Sequence, residues 1–336
     1  MKSYLLYYRQ LDPARLFRLF PECAPSGVFV FWECSMVADG KELASTVEQQ
    51  AALLLFSGLC GISKQDLISR LKTVSCYRLS NYFYPYMDDS RTFFLKNSSW
   101  DLIWNDYCMD SRLRSILFVG LSHIEIAFRT QLEVVMAQKY NPQWYADEKY
   151  FFNKNRFLHD VSELKENWKR SDEDFKKSYD AECGAVDLPP SWMMFETSTF
   201  GILSKIFENI DSSVPEKAAV AQFFGFSKAA VHILVSWMRN LTNVRNICAH
   251  HSRLFSRKSI VKPKFPKEIK GNWVSSWPDS GKIYASVCIV KKLLDACRID
   301  CGFMSELKAI AETASSFDMA IMGFPGNWKE EPLFQE

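Results

Sequence analysis

Apolar residues recur along most of the chain at the three- and four-residue intervals that are typical of amphipathic helices. The longest pattern predicts a helix over 111–140, because Asp110 precedes it at an N-cap position and Asn141-Pro142 would stop it. Its apolar positions are 113, 116, 117, 121, 124, 128 and 132. A second pattern predicts a helix over 227–251, with apolar residues at 231, 234, 235, 238, 241 and 244.

Shorter helical patterns fill most of the remaining chain after residue 45. Thr46 with Gln49, and Ser63 with Asp66, have the spacing of N-terminal capping boxes. The sequence shows no convincing strand alternation, internal repeat or low-complexity tract. It therefore predicts an all-α bundle with a helical N-terminal elaboration and one elaborated loop over 256–281.

The two ends of the chain lack these long periodic patterns. Residues 1–45 contain three prolines and are predicted to be an N-terminal extension of unclear structure. A natural start at Met36 is the alternative, and it would place the upstream residues outside the native protein. We expect one all-α domain over 46–322 and a loose C-terminal tail over 323–336.

Composition narrows the class of protein. Apolar residues make up 48% and charged residues 24%, which indicates a globular chain, and the net charge of +2 means that any basic surface must be local. The apolar run GVFVFW is too short to span a bilayer, and Arg9, Gln10 and Asp12 interrupt any signal-peptide core. The ten cysteines include no C-x-x-C pair, which favours buried thiols over a zinc site. We expect a cytoplasmic protein with no membrane, metal or cofactor.

The candidate chemistry lies in RNICAHHSRLF, residues 245–255, where the second long helix ends. Asn246 and His250 are four residues apart and share a helix face, whereas Arg245 and His250 are separated by roughly 140°. The arginine side chain could swing round, the helix could be distorted, or the arginine could come from a second subunit. The spacing leaves these three alternatives open.

These residue types suit RNA cleavage without a metal. Histidine can transfer a proton near neutral pH, and a guanidinium can hold two phosphate oxygens in its planar fork. Asn246 could orient the phosphate or the imidazole. The same residues near a helix C-terminus also suit capping of its last carbonyls, and spacing alone favours that structural role.

Four segments in order along the chain resemble the Abi-like family, the abortive-infection proteins of the AbiD and AbiF type. RNICAHHSRLF is similar to the family signature RN-x-x-AHH-x-RLW, with Phe255 in place of the usual Trp. KTVSCYRLSNYFYPYM (72–87), DYCMDSRLRSILFVGLSHIEIAFR (106–129) and LPPSWMMFETSTFGILSKIF (188–207) resemble further family segments upstream. Together these segments extend over roughly residues 46–256.

The resemblance implies a HEPN-type helical bundle, a fold common among RNA-targeting toxins and also found in the type VI CRISPR effector nucleases. In that family the R-x-x-x-x-H residues form a metal-independent ribonuclease site, usually at a dimer interface. Arg245, Asn246 and His250 fall on that motif, and His251 and Arg253 match its Abi-like extension. The expected function is an RNA endonuclease in anti-phage abortive infection, acting as a homodimer. The alternative is a non-catalytic module that holds a cognate small RNA, and a restraining partner is also compatible with the sequence.

Residues 253–270 contain seven Lys or Arg residues and one acid, Glu268. This local excess suggests an RNA-facing rim beside the motif, although a solvated loop is the alternative. On the long helix, Glu125 and Arg129 are expected to form an intrahelical ion pair or to line the active-site groove. Glu196 could pair with an arginine near the motif. The candidate RNA contacts are His251, Arg253, Arg257, Lys258, Lys262, Lys264 and Lys267.

Overall fold

The computed structural model describes residues 45–335 apart from residue 90, residues 185–187 and residue 268. Before residue 45 it describes three short strands, Val28–Val30 (β1), Ser35–Ala38 (β2) and Lys41–Ala44 (β3). They pair antiparallel in the order β1-β2-β3, with Val28 opposite Val37 and Met36 opposite Leu43. The sequence did not predict this sheet, and the rest of the predicted N-terminal extension lies outside the described residues.

Helices provide the regular structure over the described part of 45–335, which confirms the all-α prediction there. The α-helices are α1 (Val47–Phe56), α2 (Lys64–Thr73), α3 (Cys76–Phe83), α4 (Trp100–Lys139), α5 (Lys154–Arg170), α6 (Asp174–Cys183), α7 (Ser191–Met194), α8 (Phe200–Asn209), α9 (Pro215–Phe223), α10 (Val231–Ala249), α11 (Ile283–Cys297), α12 (Phe303–Thr313) and α13 (Ser316–Ile321). Short 3-10 helices lie at Tyr84–Tyr86, Trp144–Ala146, Glu148–Tyr150, Lys228–Ala230, Trp328–Glu330 and Pro332–Phe334.

The chain splits into two compact units, Met1–Cys108 and Met109–Glu336. In the first unit, α1 packs against α2. Thr46 and Gln49 complete the predicted capping box of α1. Ser63 caps α2 by accepting a hydrogen bond from the Asp66 N–H. The capping signals therefore placed both helix starts correctly.

The long helix α4 begins at Trp100, not after Asp110 as the sequence predicted. Asp110 lies eleven residues into α4 and is fully buried. Its side chain therefore does not cap the start of a helix. With 40 residues, α4 is about 60 Å long. The predicted apolar stripe is confirmed, because its members Leu113, Ile116, Leu117, Leu121, Ile124, Phe128 and Leu132 are all buried.

In the second unit, α10 packs against α8, α9 and α11, and α8 also packs against α5. Phe128 of α4 contacts the rings of Phe200, Phe207 and Phe224 at centroid distances of 5.3–6.2 Å. Trp237 on α10 is also fully buried. The Trp237 ring contacts those of Phe226 and Trp273, so aromatic packing holds α10, the helix that carries the candidate motif, in the core.

The C-terminal residues are not the loose tail that the sequence predicted. Phe324, Trp328, Leu333 and Phe334 are buried. The rings of Phe324 and Phe334 also contact Tyr284 of α11. Apolar burial therefore holds this segment against α11 within the second unit.

Among the described residues, no single helix combines the length and apolarity needed to cross a bilayer. Pro215–Phe223 and Lys228–Ala249 meet that test only as a pair, bent by 92°.

The cysteine prediction holds in part. The eight described cysteines are free thiols, and Cys76, Cys248 and Cys288 are buried. Cys60, Cys108 and Cys183 are exposed, contrary to the expectation of buried thiols.

Candidate functional site

The C-terminus of α10 is closed by its own backbone. His250 is the C-cap residue, and His251 follows in the left-handed region at φ 53°. The His251 N–H donates to the Cys248 carbonyl at 3.0 Å, and the Ser252 N–H donates to the Ile247 carbonyl at 2.9 Å. These two bonds form a Schellman motif, so the carbonyls of Ile247 and Cys248 are satisfied without a histidine side chain.

The His250 imidazole is exposed and makes no hydrogen bond or ion pair with any described residue. Asn246 is also exposed, one turn earlier on the same face of the helix. The structural alternative, in which the His250 side chain caps the helix, therefore does not match the geometry. The imidazole is available to a ligand.

Arg245 points to α4. Its Nε lies 3.4 Å from Oε2 of Glu125, and its Nη1 donates to Oδ1 of Asn246 at 3.4 Å. No ion pair or hydrogen bond joins Arg245 to His250 within the described part of the chain. The helix stays regular to Ala249, so neither a swung side chain nor a distorted helix brings the two together in one chain.

Arg129 extends this contact into a network. Its Nη2 lies 3.5 Å from Oε1 of Glu125, which confirms the predicted intrahelical pair. Its Nη1 lies 3.1 Å from Oε2 of Glu196, and its Nη2 also donates to the Ser198 carbonyl at 3.3 Å. Glu196 follows α7 and does pair with an arginine near the motif. Glu125 is therefore shared by two arginines and holds Arg245 in place.

The carboxyl groups of this network are partly desolvated. Burial raises the pKa of Glu125, although Arg245, Arg129 and the Phe200 N–H favour its charged form. Burial and the neighbouring Glu196 carboxylate raise the pKa of Glu133 to about 7, against the effect of Arg129. Near the motif, burial raises the pKa of Cys248 to about 12, which keeps this thiol protonated and unreactive.

Asp110 fixes the segment that follows the histidines. Its Oδ1 accepts the backbone N–H groups of Leu254 and Phe255 at 3.0 and 2.7 Å. Its other oxygen pairs with Arg114, which is also buried. The sequence did not predict this role. The signal was an Asp and an Arg four residues apart inside an apolar helical pattern, since buried charges of this kind are normally paired.

Two of the predicted RNA-contact residues stay near the motif. Arg253 donates to the Phe255 carbonyl, and Arg257 donates to the Arg253 carbonyl at 3.5 Å. His251, Lys258 and Lys267 are exposed.

Lys262 and Lys264 do not lie beside the motif. The Asn240 side chain donates to the Val261 carbonyl at 2.7 Å, and the Lys264 N–H donates to Ser236 Oγ at 2.9 Å. These contacts draw the loop back along α10, about 15–20 Å from His250 along the helix axis. The predicted rim is therefore divided between the two ends of α10.

Residues 69–256 of the chain match the Abi-like protein family. This chain belongs to the Abi-like protein family. Family membership suggests a role in abortive-infection defence. No curated protein and no solved structure gave a match.

The part of this Abi-like protein that matches the family contains the whole network around Arg245, the Asp110–Arg114 pair and RNICAHHSRLF. Phe255, which replaces the usual Trp, is fully buried, so a large ring still fills that position. The match ends at residue 256 and does not include Lys262 or Lys264.

One described group of side chains has a spacing compatible with a metal ion. Ligand atoms of His159, Asp160 and Glu163 on α5 lie within 4.8 Å of one another. Arg156 lies 3.7 Å from Asp160, and Lys205 lies 3.3 Å from Glu163. Because these cations already neutralise the carboxylates, we assign no metal to this cluster.

Proposed function

We propose that this Abi-like protein is a metal-independent RNA endonuclease of the HEPN type that acts in anti-phage abortive infection. The observation that carries the proposal is the His250 imidazole, which is exposed and unpartnered at a helix end that the backbone closes by itself. A histidine without a structural partner, beside an amide on the same face and an anchored arginine, is suited to proton transfer at a phosphodiester.

In the proposed reaction a histidine removes the proton from a ribose 2′-OH, and the 2′ oxygen attacks the adjacent phosphorus. The new P–O2′ bond forms as the P–O5′ bond breaks, and the departing 5′ oxygen takes a proton from a second group, which acts as the general acid. The products are a 2′,3′-cyclic phosphate and a free 5′-OH. The charge on the phosphate oxygens in the transition state is stabilised by a guanidinium.

Arg245 is held in a way that suits this role. Glu125 contacts its Nε and Asn246 contacts its Nη1, which leaves Nη2 for a phosphate oxygen. Glu125 is in turn fixed by Arg129. The network thus supplies a preorganised cation whose position does not depend on the substrate.

The separation of Arg245 and His250 in one chain supports a site shared by two copies. Two facing RNICAHH segments would supply one histidine as base and the other as acid. Each would be accompanied by an arginine. This arrangement also satisfies the need of the reaction for two proton-transfer groups.

The test is cleavage of single-stranded RNA by purified protein in excess EDTA, with the product ends analysed. We expect cyclic or 3′-phosphate ends from the wild type, and cleavage slowed by a factor of about 10² to 10⁴ in His250→Ala. His159→Ala removes an exposed histidine on α5 and is the matched control, which should cleave normally. Cleavage that requires added Mg²⁺ or Mn²⁺ would contradict the mechanism.

A second function, the binding of a cognate small RNA without cleavage, is favoured by one observation. The basic residues near Lys262 and Lys264 lie away from the motif, in a position that serves binding without chemistry. In that case the wild type and His250→Ala would bind RNA equally and neither would cut it. A restraining partner remains compatible with either function.

A further inference from the structure

One face of α10 carries a continuous row of polar side chains. They follow one another at intervals of four and three residues, and all are exposed or half-buried: His232, Ser236, Arg239, Asn243, Asn246 and His250. Eighteen residues make five turns of an α-helix, so His232 and His250 point in the same direction about 27 Å apart. The row therefore joins the candidate site to the opposite end of the helix.

A groove of about 900 Å³ opens at that opposite end. Its charged lining contains one acid, Glu208, and five cations, Lys217, Lys228, Arg239, Lys262 and Lys264. All of these residues belong to the second unit. The groove thus begins where the polar row begins, since His232, Ser236 and Arg239 are part of its lining.

The positive charge of the groove is largely uncompensated. Glu208 is already paired with Arg156 at 2.8 Å and with Arg239 at 3.4 Å. No carboxylate of a described residue forms an ion pair with Lys228, Lys262 or Lys264. An anionic ligand would supply the missing counter-charge.

The walls between these cations are apolar. Val231, Val235 and Val261 line the groove, and Ile260 at its edge is 83% exposed. Alternating cations and apolar surface suit a ligand with phosphates on one side and less polar sugars and bases on the other. The groove is also open and continues into the polar row, which suits a strand better than an enclosed small molecule.

We propose that the groove and the polar face of α10 form a track for single-stranded RNA. The groove cations bind phosphates at a distance from the cleavage point, while the scissile phosphate lies at His250. The identity of the ligand as RNA rests on the proposed function. Lys262 and Lys264 lie outside the residues matched to the family, whereas Lys217, Lys228 and Arg239 lie within them, so only one side of the groove comes from the loop beyond the match.

The test measures binding in a His250→Ala background, so that cleavage does not interfere. The probe is a fluorescent single-stranded RNA of about ten nucleotides, followed by anisotropy at several salt concentrations. The groove variant combines Lys262→Glu with Lys264→Glu. The matched control combines Lys165→Glu with Lys169→Glu, which changes two exposed lysines of α5 by the same charge.

We expect the groove variant to lose about tenfold or more in affinity, and the slope of log affinity against log salt to fall by ~0.7 for each lost phosphate contact. The control should bind like the parent protein. Circular dichroism of both variants checks that the helices remain intact. Equal affinity and an equal salt slope for the folded groove variant and its parent would overturn the track.

Competition identifies the ligand class. Inorganic phosphate and a mononucleotide should compete weakly, whereas unlabelled RNA of the same length should compete fully. Equal competition by the mononucleotide would make the groove a small-nucleotide site and overturn the track.

A wild type that binds through the groove but never cuts RNA would overturn the proposed nuclease and leave the track in place. Cleavage with an unchanged KM by a groove variant that retains His250 would overturn the track and leave the proposed nuclease in place.

Discussion

The two adjacent histidines have different physical roles. His251 provides the left-handed backbone step that lets the chain leave α10, and His250 presents an imidazole that no described residue uses. A non-glycine residue at positive φ is strained, and such strain is frequent at functional sites. The sequence placed both residues near the end of the helix but could not show that the backbone alone makes the cap.

His250→Ala should lower the rate of RNA cleavage by a factor of about 10² to 10⁴, the usual contribution of a general acid or base. Because its side chain has no partner, the free energy of unfolding should change by less than about 0.5 kcal/mol. His251→Ala should cost less activity. His251→Gly should be more stable than His251→Ala by about 1 kcal/mol, since glycine adopts positive φ without strain. Single-turnover cleavage and urea unfolding measure these effects, and a His250→Ala protein that unfolds or cuts at nearly the wild-type rate would contradict them.

Glu133 should make the stability of the protein depend on pH. Its pKa is raised from 4.5 to about 7 in the folded state, first by burial and then by Glu196, so the folded protein binds more protons than the unfolded chain in this window. The contribution of Glu133 to the free energy of unfolding is therefore fully present below pH ~4.5 and is lost as the pH rises through ~7. Glu133→Gln should remove this loss. Urea unfolding of both proteins at several pH values measures it, and parallel pH profiles would show that Glu133 is not the group responsible.

At the scale of elements, Asp110 shows how a local signal can mislead. Its position before a periodic stretch predicted a helix start, yet α4 begins ten residues earlier. The apolar period in fact continues upstream, because Trp100, Ile103 and Trp104 have helical spacing. What the sequence could not show was the contact with Leu254 and Phe255, since it depends on how α4 and the end of α10 pack.

Asp110→Ala should destabilise the second unit by about 3–5 kcal/mol, because it leaves the buried Arg114 charge and two backbone N–H groups without their partner. Asp172→Ala, which changes an exposed aspartate, is the control and should have an effect within about 0.5 kcal/mol. Urea unfolding followed by circular dichroism measures both. A similar small effect for the two variants would mean that residues 252–255 are held by other contacts.

At the scale of the whole molecule, the local patterns predicted the helices better than the contacts between distant segments. Helical periodicity and capping residues indicated an all-α chain, and the long apolar stripe of α4 is buried as expected. The path of the loop around Lys264 and the packing of Trp328 depend on contacts far apart in the chain, which no local period encodes. For the same reason the basic rim was predicted beside His250 although Lys262 and Lys264 lie at the other end of α10.

The position of Arg245 has a consequence for assembly. Arg245 is anchored on Glu125 and forms no hydrogen bond or ion pair with His250 within the described residues, so we expect the site to combine groups from two copies. Most homo-oligomers are two-fold symmetric dimers, and a two-fold axis near the end of α10 would bring both motifs together. We expect sedimentation to show a dimer, and dilution below its dissociation constant to reduce the activity per chain.

Mixing experiments provide the sharper measurement. If each site uses both histidines, a fourfold excess of His250→Ala protein should reduce the activity of a fixed amount of wild type to roughly one fifth by random pairing. Saturating RNA prevents competition for substrate from giving the same result. The same excess of the double variant His250→Ala with Arg245→Ala should inhibit equally, because a mixed dimer already lacks one of the two histidines that its site needs. A strictly monomeric protein with full activity, or wild-type activity unaffected by the excess, would show instead that one chain completes the site alone.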